Sequence, residues 1–163
     1  MQPTHLAKFS DSARGHSLPP EWRGASGEED ACYACQLVEH TMTPYWARRQ
    51  MRFSSTMFST FWRDYDALIL EHAGQRSGII AWQIDDVYAH LRELHLDAQV
   101  RGQGRGAAIL NAWLSYSRSA GARHARLRVF AENPARHLYL RAGFDVTGED
   151  ARVQGLLTME RRL

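Results

Sequence analysis

Three alternating glycines stand between an apolar strand and an amphipathic helix in Leu94-His-Leu-Asp-Ala-Gln-Val-Arg101-Gly-Gln-Gly104-Arg-Gly106-Ala-Ala-Ile. This segment constrains the fold more than any other. Without a Cβ the backbone turns tightly and lets another group approach closely. The first N–H groups of the following helix lack intrahelical partners and lie at the positive end of its dipole. Such a turn is an anion site suited to phosphate or pyrophosphate, and Arg101 and Arg105 add charge. Two familiar phosphate loops do not fit. A P-loop needs the lysine of GxxxxGK[ST], and Gly102-x-Gly104-x-Gly106 does not match the dinucleotide fingerprint GxGxxG.

The rest of the chain reads as layers around that turn. Residues 1–18 lack hydrophobic period and end at Pro19-Pro20, so a poorly ordered extension is expected there, followed by one domain over 19–163. Ser26 followed by Glu28, Glu29 and Asp30 predicts a helix start. Thr43-Pro44 predicts the opening of a second helix through Tyr45 and Trp46, with 54–62 continuing helically. Ala67–His72 and Gly78–Asp85 read as a hairpin around 73–76. His90–Asp97 reads as a third strand, and its alternation slips between Leu91 and Leu94 as a bulge would cause. A helix from Gly106 ends at Gly121, a strand covers Arg123–Phe130, and Asn133-Pro134 caps a short helix that stops at Gly143. Phe144–Gly148 and Val153–Met159 read as a terminal pair of strands. The fold class is mixed α/β, with a crossover near 101–120.

Composition sets the bounds. The 163 residues are 44% hydrophobic and 23% charged, which suits a globular chain with a core. The net charge of +2 speaks against bulk nucleic-acid binding, although the basic residues are arginines apart from Lys8. No apolar run approaches the ~20 residues of a membrane span. The opening residues show no secretory signal pattern, so a cytoplasmic protein is expected. Cys32 and Cys35 form an isolated CxxC, read as two small buried thiols on one helix face, and no metal site is read.

Arg101-Gly-Gln-Gly104-Arg-Gly106 resembles the [QR]-x-x-G-x-[GA] signature of the GNAT superfamily of N-acetyltransferases. A second match follows about thirty residues on: Asn133-Pro-Ala-Arg-His-Leu138-Tyr139-Leu-Arg-Ala-Gly143-Phe144 resembles NxA..LYxxxGF. A third, weaker match is Arg23-Gly-Ala25 through Asp30, similar to R-x-A-x-x-x-x-D. The resemblance spans about residues 20–163. It implies a central mixed, mostly antiparallel sheet flanked by helices, with acetyl-CoA as cosubstrate. It implies that Leu94, His95 and Leu96 pair with the pantetheine arm. The amides of Arg101, Gly102, Gln103, Gly104, Arg105 and Gly106 would hold the pyrophosphate. Asn133 would contact the cofactor, and Tyr139 would protonate the departing thiolate. Asn133 also reads as a plain helix cap, Tyr139 as core beside Leu138, and Phe144 as core. The resemblance admits a homodimer.

The chemistry adds its own demands. An alkyl ammonium with pKa about 10.4 is only ~0.04% free amine at pH 7, so a base or water chain must take a proton before attack. Glu93 and His95 lie beside the expected reaction centre, and either of them, or water, fits that task. Acceptor selection falls to the helical region before the hairpin and to the hairpin itself. Glu39, Tyr45 and Trp82 are the candidates there, with His40, Trp46, Trp62 and Glu71 beside them. The substrate expected is a small-molecule or peptide amine. The alternative is a non-catalytic acyl-CoA sensor or interaction module on the same fold.

Overall fold

Turn chemistry sets the first hairpin. In the computed structural model, which describes residues 18–163, Ala73 and Gly74 have φ of +51° and +74°. Positive φ at both central residues is what a two-residue hairpin turn of type I′ requires. The turn joins strand β2 (Asp66–His72) to β3 (Gln75–Asp85), and β4 (Tyr88–Leu96) pairs next to β3. Before them come β1 (Trp22–Gly24), helix α1 (Gly27–Ala47) and helix α2 (Ser55–Trp62). After them come α3 (Arg105–Ser119), β5 (His124–Phe130), α4 (Ala135–Arg141), β6 (Asp145–Glu149) and β7 (Leu156–Arg162).

The seven strands form one sheet in the order β1-β2-β3-β4-β5-β7-β6, antiparallel except at β4–β5. A parallel pair needs a crossover, and α3 supplies it. Period-2 alternation gives the sheet two apolar faces. Ile80, Trp82, Leu91 and Leu127 pack beneath Ile109, Leu110 and Trp113 of α3, while Ile69 and Ile79 meet Ala34, Leu37 and Val38 of α1 and Phe58 of α2.

Two irregularities position the site. Ala81 pairs with Glu93 but Trp82 with Leu91, which leaves Arg92 as the extra residue of a bulge. The expected slip in alternation is this bulge. β4 and β5 also pair only from Tyr88 to His90 against His124 to Arg126, and then they part. The parting opens a gap in the middle of the sheet.

Several expectations are corrected. Helix α1 runs unbroken through Thr43-Pro44, and Thr43 Oγ1 donates to the Glu39 carbonyl (2.5 Å) instead of capping a new helix. Packing outweighs the lost proline N–H, because Tyr45 stacks on Phe130 and Trp46 on Phe53. The Ser26 hydroxyl makes no cap; its backbone N–H donates to Asp30 Oδ2 instead (2.9 Å). Cys32 is exposed and Cys35 half-buried, so the two thiols are not both buried. The last strand starts at Leu156 and not at Val153, because the Asp150 carboxylate accepts the N–H groups of Arg152 and Val153 and holds that segment in a bend, while β6 begins one residue later than expected, at Asp145. Residues 1–17 of the expected extension lie outside the described residues; Leu18 packs on the larger core.

Candidate active site

The gap between β4 and β5 is the mouth of a cavity of about 520 Å³. Leu91–Leu96 form one wall, Leu127–Phe130 the other, and the glycine turn with the start of α3 forms the floor. Asn133 and Tyr139 line the same cavity.

Gly102 and Gly104 have φ of +72° and +80°, where a side chain is strained, and a Cβ built at either meets nothing within 4 Å. The glycines therefore serve the backbone path, and open space lies beyond them. Among the described residues, no backbone carbonyl receives the N–H groups of Gly102 through Ala107. Six amides left free at a helix start form a cradle for a polyanion. A Cβ at Gly106 would lie 3.5 Å from Leu138 Cδ2, an ordinary contact, so alanine fits there. The arginines serve the turn itself as well as the cavity wall. Arg101 Nε donates back to the Leu96 carbonyl (2.8 Å). Arg105 donates to Gln103 Oε1 and lies 3.6 Å from Glu21 Oε1. Gln103 is outside the cavity lining.

Glu93 and His95 alternate on β4, and Glu93 Oε2 lies 2.7 Å from His95 Nε2 with both side chains largely buried. Tyr139 lies in α4 with its ring edge-on to Phe144, itself buried in the core. Burial first, and the Glu93 charge second, push the Tyr139 phenol above its ordinary pKa, so it stays protonated. Asn133 Oδ1 accepts the Ala135 N–H (2.9 Å), so it caps α4 while lining the cavity.

The acceptor candidates divide. Tyr45 lines the cavity, stacked on Phe130 at 5.8 Å. Trp82 does not: it is 1% exposed, in the core against Tyr116. Glu39 and His40 are exposed on α1, outside the cavity lining. Trp46 and Trp62 belong to the aromatic packing of α1 and α2, and Glu71 pairs with Arg23 (2.7 Å).

Two features escape sequence reading. Arg49 joins Glu132 through Nη1 (2.6 Å) and Nη2 (3.0 Å), donates to the Gln154 carbonyl and lies 4.0 Å over the Phe130 ring. It thus ties the end of α1, the segment after β5 and the loop before β7 around the Tyr45–Phe130 wall. The second is a polar groove of about 1060 Å³ that shares Leu91, Arg92, Glu93, Leu127 and Arg128 with the first cavity. Tyr65 lines it, its phenol pushed up by burial and then by Glu93. Glu93 thus faces two openings.

A family model, the acetyltransferase (GNAT) domain, matches residues 38–163. The chain belongs to the GNAT acetyltransferase family. This member is 36% identical over 76 residues, 46% of its length, to an uncharacterized N-acetyltransferase of Methanocaldococcus jannaschii. The match spans about a third (32%) of that relative's length. Its fold is similar to Ard1 from Thermoplasma volcanium, with a TM-score of 0.68 and 18% identity over 88% of this chain and 98% of that one. The PaiA N-acetyltransferase from Thermoplasma acidophilum, in complex with coenzyme A, gives 0.66 and 17% over 87% and 99%. The ribosomal-protein-S18-alanine N-acetyltransferase from Escherichia coli gives 0.66 and 20% over 86% and 93%. Among the described residues of this GNAT protein, no helix is long and apolar enough to cross a membrane.

Proposed function

We propose that this GNAT protein transfers an acetyl group from acetyl-CoA directly to a primary amine. The observation that carries the reading is that Gly102, Gly104, Arg105, Gly106 and Ala107, whose amides meet no backbone carbonyl among the described residues, line the same cavity as Tyr139 and Glu93. These residues fit the cosubstrate: the amides suit a diphosphate, and the edge of β4 from Leu94 to Leu96 that β5 leaves open, opposite its pairing with β3, offers backbone groups to an amide-bearing arm. Acetyl-CoA, when bound, supplies the thioester that the amine attacks.

The chain's own groups handle the protons and the geometry. Glu93 takes the ammonium proton, directly or through one water, and His95 Nε2–H holds its carboxylate in place. Tyr139, kept as the neutral phenol, gives a proton to the departing sulfur. Asn133 fixes the start of α4 and with it the position of Tyr139. Holding amine and thioester together supplies much of the rate.

Thiol release from acetyl-CoA in the presence of an amine panel tests the reading. Cosubstrate binding with no turnover of any amine would instead mark a non-catalytic acyl-CoA sensor. Tyr139→Phe is expected to lower kcat about 100-fold, roughly 2.7 kcal/mol of barrier, with little change in acetyl-CoA affinity. A wild-type rate in that variant removes Tyr139 from the mechanism. Glu93→Gln is expected to lower kcat by about 10²-fold with little change in acetyl-CoA affinity. A wild-type kcat in that variant would assign the proton to another group.

A further inference from the structure

The second groove carries more charge than deprotonating an amine requires, and its charges are unequally satisfied. Four of its five carboxylates are occupied from within the chain; the fifth, Asp64, makes no side-chain hydrogen bond among the described residues. Glu160 accepts from Arg126, Glu149 Oε1 accepts the Gly155 N–H (2.7 Å), and Asp150 Oδ1 accepts two backbone amides. Glu93 holds His95 (2.7 Å).

The arginines differ among themselves. Arg126 is fixed between Glu160 and the face of Tyr88, 4.5 Å away. Arg92, the bulged residue beside Glu93, makes one hydrogen bond among the described residues, from Nε to the neutral Gln83 Oε1 (3.0 Å). Arg128 is 58% exposed and reaches Asp150 Oδ2 at a long 3.4 Å. A guanidinium has five donors in a fork that matches a carboxylate. Arg92 and Arg128 therefore present unused donors on either side of the gap, on β4 and β5, in the groove that leads to Glu93.

Resting on the acetyl-transfer reading, we infer that the acceptor is a primary amine that also carries a carboxylate, with the amine at Glu93 and the carboxylate held by Arg92 and Arg128. The shared chemistry belongs both to small amino acids and to peptide N-termini followed by an acidic side chain.

The full chain with acetyl-CoA and matched amines tests this by thiol release. One arm compares γ-aminobutyrate with its amide; the other compares Ala-Glu-Ala amide with Ala-Gln-Ala amide and Ala-Lys-Ala amide. The expected result is a roughly 10–100-fold higher kcat/KM for the carboxylate-bearing member in one arm, and that arm names the source. In the R92Q/R128Q double variant the ratio should collapse to about 1–3-fold, and R128E should shift preference toward the lysine peptide. A melting curve for each variant separates misfolding from lost recognition. Equal turnover of both members of every pair overturns the inference while the acetyl-transfer reading stands, as does a preference that survives both substitutions. No turnover of any amine removes that reading and this inference with it.

Discussion

Gly104→Glu is expected to abolish acetyl-CoA binding. Gly104 ends the turn at φ +80°, with open space where a Cβ would lie. A side chain there is strained by about 1–2 kcal/mol and places a carboxylate beside the free amides that the diphosphate would use. Like charges at that range repel, and the cradle is filled. The measurement is the melting temperature with and without acetyl-CoA. A ligand at 100 times its Kd stabilises the native state by about 2.7 kcal/mol, which for a chain of this size is a rise of roughly 5–10 °C. The wild type should show that rise and the variant none, while its melting point without acetyl-CoA stays within a few degrees. A full ligand-induced shift in Gly104→Glu would move the cosubstrate away from the glycine turn.

Asp30→Ala is the substitution expected to cost most stability. The Asp30 carboxylate is almost fully buried and takes four hydrogen bonds: from Arg23 Nη1 (2.7 Å) and Nη2 (3.0 Å), Arg76 Nε (2.7 Å) and the Ser26 N–H (2.9 Å). It joins β1, α1 and β3 at one point, and Arg23 extends the join to Glu71 on β2. Its removal leaves two guanidiniums facing each other across the vacated site, Arg23 keeping only Glu71 and Arg76 only Glu29. Breaking a buried pair costs about 3–5 kcal/mol, and since both arginines are a third exposed the lower end applies. A fall in melting temperature of roughly 6–12 °C should follow. The arginines, Arg23 first, hold the Asp30 carboxyl well below the usual carboxylate range. A depressed pKa stabilises the fold above the unfolded-chain value, about 3.9, and that contribution fades as pH falls below it. Asp30→Asn should therefore lose stability at pH 7 and show a shallower decline between about pH 4 and 2. A decline as steep as the wild type's would place the acid sensitivity elsewhere.

Much of the site was legible because its signals are local. Glycines at 102 and 104 report a backbone that needs positive φ, and the structure has it at both. The slip in alternation between Leu91 and Leu94 reports an extra residue, and Arg92 is that residue. Arg23, Ala25 and Asp30 read as a spacing pattern, and the buried ion pair gives Arg23 and Asp30 their physical content. Tyr45 was within reach of sequence reasoning too, and it lines the cavity. Trp82 was not separable from it: an aromatic residue on a strand points to the core or to a site according to register, and the Arg92 bulge sets the pairing at Trp82. The Thr43-Pro44 reading failed for a related reason, since local breaker chemistry was outweighed by ring packing from residues far along the chain.

From the sequence alone came the family resemblance, the order of the elements from α1 onward apart from the break expected at Thr43-Pro44, the positive-φ glycine turn and most of the residues named for one cavity. All of these depend on contacts between near neighbours in the chain. The tertiary structure decided that β4 and β5 part after His90, that Glu93 faces two openings, and that Arg92 and Arg128 stand across the gap from each other. It also decided the Arg49–Glu132 tie across 83 positions. The reason is that each of these depends on how far strands diverge and which distant side chains satisfy one another. Neither quantity is encoded in any short stretch of residues.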